Sequence, residues 1–117
     1  MSASVFTGVQ YNVVADPGTG TAIPVTQSCF IAFSSAAAET NTIANPSFIG
    51  QQISLYMVAR VVGDRVITAA SAINQATNTI MTFGAAADWI TLIAVGTNGA
   101  GTTLRWRVLA NDGVALS

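Results

Sequence analysis

The chain has 117 residues, 51 % of them hydrophobic, with four Arg, five acidic residues, no Lys and no His. Only 8 % are charged, against roughly 25 % in an ordinary soluble domain. General bases, clustered metal ligands and phosphate-binding lysines are therefore scarce or missing, and a net charge of −1 steers the chain toward neither nucleic acid nor an anionic membrane.

The length implies one domain with a single core. One Cys cannot close an internal disulfide. Met1-Ser2-Ala3-Ser4 shows no basic region leading into an apolar stretch, so no signal peptide is expected. The most apolar window, Ile80 to Gly96, is shorter than the roughly 20 residues of a spanning helix and is broken by Gly84, Asp88 and Thr91. No membrane helix is expected.

In chain order, β-branched and aromatic segments alternate with Gly, Asn, Asp and Pro clusters, which predicts an all-β fold. The expected form is a compact antiparallel β-sandwich or barrel with little helix. Residues 1–15 form an N-terminal arm or first strand, and 16–117 the sandwich or barrel domain. The first strand is Val5 to Val14, ended by the turn Asp16-Pro17-Gly18-Thr19-Gly20. Strands are predicted at Ala22–Thr26 and Ser28–Phe33, followed by a short helix-like stretch at Ser34–Glu39. A short strand at Thr40–Ile43 is broken by Asn45-Pro46. The clearest hairpin signal is Gln52–Val62, Gly63-Asp64, Arg65–Ala69, with Gly63 suited to a type II′ turn. Thr79–Phe83 is a further strand. Trp89–Val95 and Thr103–Ala110 form a second hairpin around Asn98-Gly99-Ala100-Gly101, and Val114–Leu116 a final short strand.

For that second hairpin, an even-numbered loop sets the faces. Trp89, Thr91, Ile93 and Val95 then share a core face with Leu104, Trp106 and Val108. The other face carries Ile90, Leu92 and Ala94 beside Arg105, Arg107 and Leu109. An apolar face with two arginines suits a subunit interface, so Ile90, Leu92, Arg105, Arg107 and Leu109 are candidate interface residues. The alternative is that the arginine stems cover the apolar side chains while their heads stay in water.

Chemistry-bearing constellations are sparse. No His or Lys activates a Ser, and Cys29 in an apolar strand reads as a packed thiol. The acids Asp16, Glu39, Asp64, Asp88 and Asp112 recur about every 24 residues, one trip up and back for strands of ordinary length. That places them at turns at one end of the fold; chance spacing accounts for it equally. Trp106 alternates with Arg105 and Arg107 along a strand, so the three cannot build one base-stacking site. Sugar binding would use exposed aromatics, and Tyr11, Tyr56 and one of Trp89 or Trp106 are the candidates.

The order Gly50-Gln51-Gln52-Ile53-Ser54-Leu55, Asp64-Arg65-Val66-Ile67-Thr68, Asn78-Thr79-Ile80-Met81-Thr82-Phe83, Ala87-Asp88-Trp89-Ile90-Thr91-Leu92 and Leu104-Arg105-Trp106-Arg107-Val108 resembles small β modules of tailed-bacteriophage virions. These are capsid decoration (cement) proteins and head- or tail-fibre proteins. The resemblance covers Gly50 to Ser117 and contains no reactive motif. It implies a non-enzymatic, cofactor-free structural protein, made in the host cytoplasm and carried on the capsid surface as a homotrimer bound to the major capsid protein. It further implies a capsid-contact arm, whose candidate residues here are Val5, Phe6, Val9, Tyr11 and Val13. The alternative is a fibre or receptor-binding module for surface glycans. Neither a nucleic-acid nor a membrane partner is expected.

Overall fold

The strands form where short, regularly alternating segments let one side chain in two reach a common core. The structure, a computed structural model, describes residues 12–117. It contains β1 (Asn12–Val14), β2 (Thr21–Ile23), β3 (Cys29–Ser35), β4 (Glu39–Ile43), β5 (Gln52–Arg60), β6 (Arg65–Ala69), β7 (Ile80–Phe83), β8 (Trp89–Gly96), β9 (Leu104–Asp112) and β10 (Ala115–Leu116). No helix occurs among the described residues. The expected all-β class holds, as two five-stranded sheets packed face to face.

Sheet A has the order β1-β3-β5-β8-β9, and sheet B the order β10-β7-β6-β4-β2. The first six strands alternate between the sheets, so the chain winds around the core. Each turn lays a strand parallel to the one before it: β1 with β3, β3 with β5, β2 with β4, β4 with β6. Parallel neighbours need a long crossover, and here the crossover is a strand of the opposite sheet. Among the described residues antiparallel pairing is confined to β5–β8, β8–β9, β6–β7 and β7–β10. The wholly antiparallel sandwich expected from the turn signals is therefore corrected to two mixed sheets.

The Gly63-Asp64 hairpin is corrected with it. β5 lies in sheet A and β6 in sheet B, so this turn is a corner between sheets. It stacks on the preceding corner, residues 36–38, where a short helix was expected. The Val61 amide donates to Ser35 O (2.9 Å) and the Glu39 amide to Asp64 O (3.0 Å). The Ser35 hydroxyl donates to Gly63 O at 2.8 Å. Gly63 has φ 79°, and a Cβ there would fall inside the backbone of Ala37 and Ala38. Only glycine admits both the conformation and the approach.

The core lies between the sheets. Ile31, Phe33, Leu55, Met57, Ile90 and Leu92 of sheet A meet Ile23, Ile43, Ile67, Met81 and Phe83 of sheet B, and all are buried. Phe33 and Phe83 pack edge to face, with centroids 4.9 Å apart. Trp106 is 2 % exposed, and its Nε1 donates to Ala44 O at 2.8 Å. The apolar window Ile80 to Gly96 is two strands and the turn between them.

Gly63→Ala is expected to lower the free energy of unfolding by about 3 kcal/mol, since strain and overpacking add. Gly18→Ala, at φ 83° with open space around it, should cost about 1–2 kcal/mol. Urea unfolding of the two variants checks the contrast. Equal losses would show that the Gly63 contact is not what fixes the corner.

Candidate functional site

Two features outside the apolar core could carry function: a polar clamp at one end, and the outer face of sheet A. The clamp starts from the alternation Arg65, Ile67, Ala69, which points all three inward. Arg65 is fully buried beneath the corners. Its Nε donates to Asn41 Oδ1 (2.6 Å), its Nη2 to Asp16 Oδ1 (2.6 Å), and its Nη1 to Asp16 Oδ2 (3.2 Å) and Ser34 O (3.1 Å). Glu39 Oε1 lies 3.5 Å from Nη1, and the guanidinium carbon sits 4.6 Å from the centre of the Phe33 ring. Asn41 in turn donates to Gly18 O at 2.7 Å and Thr21 O at 3.1 Å.

Partial burial pushes the Asp16 carboxyl up, but its hydrogen bonds from Arg65 and Gly18 and the charge of Arg65 outweigh this. The group is held below its ordinary value of 3.8. At the opposite end, buried Gln51 makes a similar tie. Its Nε2 donates to Val25 O (2.8 Å) and Gln27 O (3.1 Å), and its Oε1 accepts from the Ser47 amide (2.8 Å).

The five evenly spaced acids do fall at one end. Asp16 lies on the β1–β2 corner, Glu39 opens β4, Asp64 precedes β6, Asp88 precedes β8 and Asp112 closes β9. That end is common because Phe83 pairs with Arg65, Trp89 with Tyr56, and Asn111 with Ile90. The roles of the acids differ. Asp16 and Glu39 flank Arg65, Asp64 pairs with Arg60 at 2.9 Å, and Asp88 Oδ2 caps the amides of Gly84 (2.9 Å) and Ala85 (3.0 Å). Among the described residues no group of three or more His, Cys, Asp or Glu could hold a metal ion. Cys29 is buried and free, and burial pushes its thiol up.

The candidate interface residues do not share one face. Gly96 pairs with Leu104, which leaves an odd number of residues, Thr97 to Thr103, in the loop. Asn98 organises that loop by accepting from the amides of Thr102 and Thr103, both at 2.9 Å. The odd count reverses the expected phase. Ile90 and Leu92 point into the core and are fully buried, on the same side as Trp106 and Val108. Arg105 and Arg107 pair instead with Val95 and Ile93, on the outer face. Leu109 is the extra residue of a bulge and is 53 % exposed. Arg107 Nη1 donates to Ala72 O and Trp106 O, both 2.9 Å, and Arg105 Nη1 to Leu104 O at 2.8 Å. Among the described residues neither arginine has a carboxylate partner.

Of the candidate arm residues, Val5, Phe6, Val9 and Tyr11 lie outside the described residues. Val13 sits on edge strand β1 and is 81 % exposed.

The outer face of sheet A carries an aromatic cleft that no local motif announces. Tyr56 and Trp89 are direct cross-strand partners, and Phe30 lies on the adjoining strand beside Ser54. Together with Ala87 and Asp112 they line an open cleft of about 500 Å³. Below it, Ser54 and Thr91 share a buried hydroxyl–hydroxyl hydrogen bond of 2.8 Å. Tyr56 and Trp89 were aromatic candidates from the sequence. Trp106 is in the core, and Phe30 and Asp112 join the group only through sheet register.

No protein-family model matches the chain, and no curated protein matches it significantly.

Replacing Arg65 by Met is expected to cost about 3 kcal/mol, since it leaves acidic partners without their buried counter-charge. The Asp16 contribution has a defined sign. Its folded pKa is depressed, so the stabilisation is complete above about pH 4 and is lost as pH falls through the lower folded value. Asp16→Asn should flatten the pH dependence of stability in that acidic window. Thermal unfolding between neutrality and strong acid reads both effects; an unchanged acid limb in Asp16→Asn would refute the clamp.

Proposed function

We propose that this chain is a non-enzymatic structural module of a virion, a decoration protein that sits on the capsid surface as a homotrimer. The observation that carries the reading is exposed apolar surface on a charge-poor chain. Val13, Ile49, Val58, Val61, Val62 and Leu109 are 53–81 % exposed, and Phe48 is 46 % exposed. Single apolar residues at a surface are ordinary. Here they cluster, with Val58, Val61 and Val62 around one corner and Phe48 and Ile49 together in the β4–β5 loop. With 8 % charged residues to keep neighbours apart, such clusters favour contact with other subunits.

The resemblance of Gly50–Ser117 to phage virion modules agrees with this reading. So does the clamp, because a coat protein under load gains from a fold whose turns are cross-tied at both ends. The band of Ile93, Val95, Arg105 and Arg107 is the proposed copy-to-copy contact. There an arginine of one copy would meet carboxylates or carbonyls of the next. Edge strand β1, with Val13 outward, is where an arm leading from residues 1–11 would reach the major capsid protein by strand addition.

Light scattering over a range of concentrations is expected to give a particle near three times 12.0 kDa. Arg105→Ala with Arg107→Ala should shift that particle toward monomer by at least tenfold in concentration, about 1.4 kcal/mol. A monomer at every concentration would reject the trimer. Truncation before Asn12 should preserve the fold and weaken attachment to capsids; undiminished co-sedimentation with capsids would reject the arm.

A further inference from the structure

We propose that the aromatic cleft on the outer face of sheet A is a binding site for a neutral hexopyranose ring, such as the terminal sugar of a glycan. This goes beyond the structural role and does not depend on it. The cleft is formed by Phe30, Tyr56, Ala87, Trp89 and Asp112 around about 500 Å³, which is ample for one pyranose. A pyranose has apolar C–H faces and a rim of hydroxyls. Bound, it needs aromatic surface against a face and a few fixed polar groups at the rim.

Both requirements meet here. Three half-buried aromatic rings, Phe30, Tyr56 and Trp89, supply apolar surface. Three of the lining residues carry a polar group: Trp89 an indole N–H, Tyr56 a hydroxyl and Asp112 a carboxylate. None of the three has a side-chain hydrogen bond or ion pair among the described residues. An indole N–H that is partly buried ordinarily finds an acceptor. The buried Trp106 does so, at Ala44 O, and half-buried Trp89 has no such partner among the described residues.

The sign of the charge selects the ligand class. Asp112 stands at the acidic end, and the nearest outward arginines on its strand, Arg105 and Arg107, are bonded to backbone carbonyls of their own chain. A carboxylate without a cation beside it accepts hydrogen bonds from neutral hydroxyls and repels acidic sugars. The rim is also rigid. Ala87 is held at φ 71°, a left-handed conformation unusual for a non-glycine residue, and its amide donates to Met57 O at 2.7 Å. Adjacent Asp88 caps the same turn. A fixed rim reduces the ordering cost of binding.

The chain has two tryptophans, so the test has an internal reference. In ¹⁵N-labelled full-length protein, the Trp89 indole resonance is followed during titration with methyl glucoside, methyl galactoside and methyl mannoside. Each is taken to about 100 mM, where single-ring contacts of a few kcal/mol become visible. Sialic acid is the acidic comparison. The expected result is a saturable shift of Trp89 with at least one neutral glycoside, a still Trp106, and no saturable response to sialic acid. Asp112→Asn, which keeps shape and removes charge, should weaken binding by roughly tenfold. Tyr56→Phe should weaken it less. The proposal is overturned if no neutral glycoside gives saturation, or if Trp106 moves equally. It is also overturned if Trp89 shifts with protein concentration alone, since that assigns the cleft to contact between copies. None of these outcomes alters the mass expected for the trimer, so the two readings fail separately.

Discussion

The buried guanidinium of Arg65 is the constraint on which the rest of the fold depends. A winding chain has few local contacts to hold one turn against the next. Arg65 reaches three turns at once: Asp16 on the first, Ser34, Glu39 and Asn41 on the second, and its own strand on the third. A planar fork of donors suits that task in a way a Lys ammonium would not. Burial of the charge is costly, and it is tolerated because four of the five N–H donors are met and the Phe33 ring lies beneath the cation. Gln51 does the neutral equivalent at the far end.

With the turns so tied, the last four strands need only complete the two sheets. β7 and β8 add antiparallel to β6 and β5, and β9 follows β8. That closure builds the two outer features of sheet A. The β8–β9 pairing presents Arg105 and Arg107 beside Ile93 and Val95, and the β5–β8 pairing sets Tyr56 against Trp89. The arginine band and the aromatic cleft thus lie toward opposite ends of one face.

Much of the strand content was legible because period-two alternation is local. Leu55, Met57 and Ile67 follow it, and so does Arg65, which shares the inward row of Ile67 and Ala69 by alternation alone. The even spacing of the acids was a real trace of the winding, since Asp16, Glu39 and Asp64 stand at three successive corners. The pairing partners were not legible. Gly63-Asp64 has the residues of a tight hairpin, but its position against Ala37 and Ala38 makes it a corner. A turn motif reports local backbone torsion and says nothing about which sheet receives the next strand. One loop residue decided whether Ile90 and Leu92 faced the core or solvent, because side-chain direction inverts with every residue.

The sequence by itself determined the all-β class, most of the turn positions, the burial of Cys29, and the poverty of reactive side chains. Each of these rests on composition or on neighbours a few residues apart. Tertiary structure alone decided the parallel winding, the Arg65 clamp, the reversed face of β8 and the meeting of Phe30, Tyr56, Trp89 and Asp112. Those depend on register between segments distant in the chain, and register is set by packing the whole core at once.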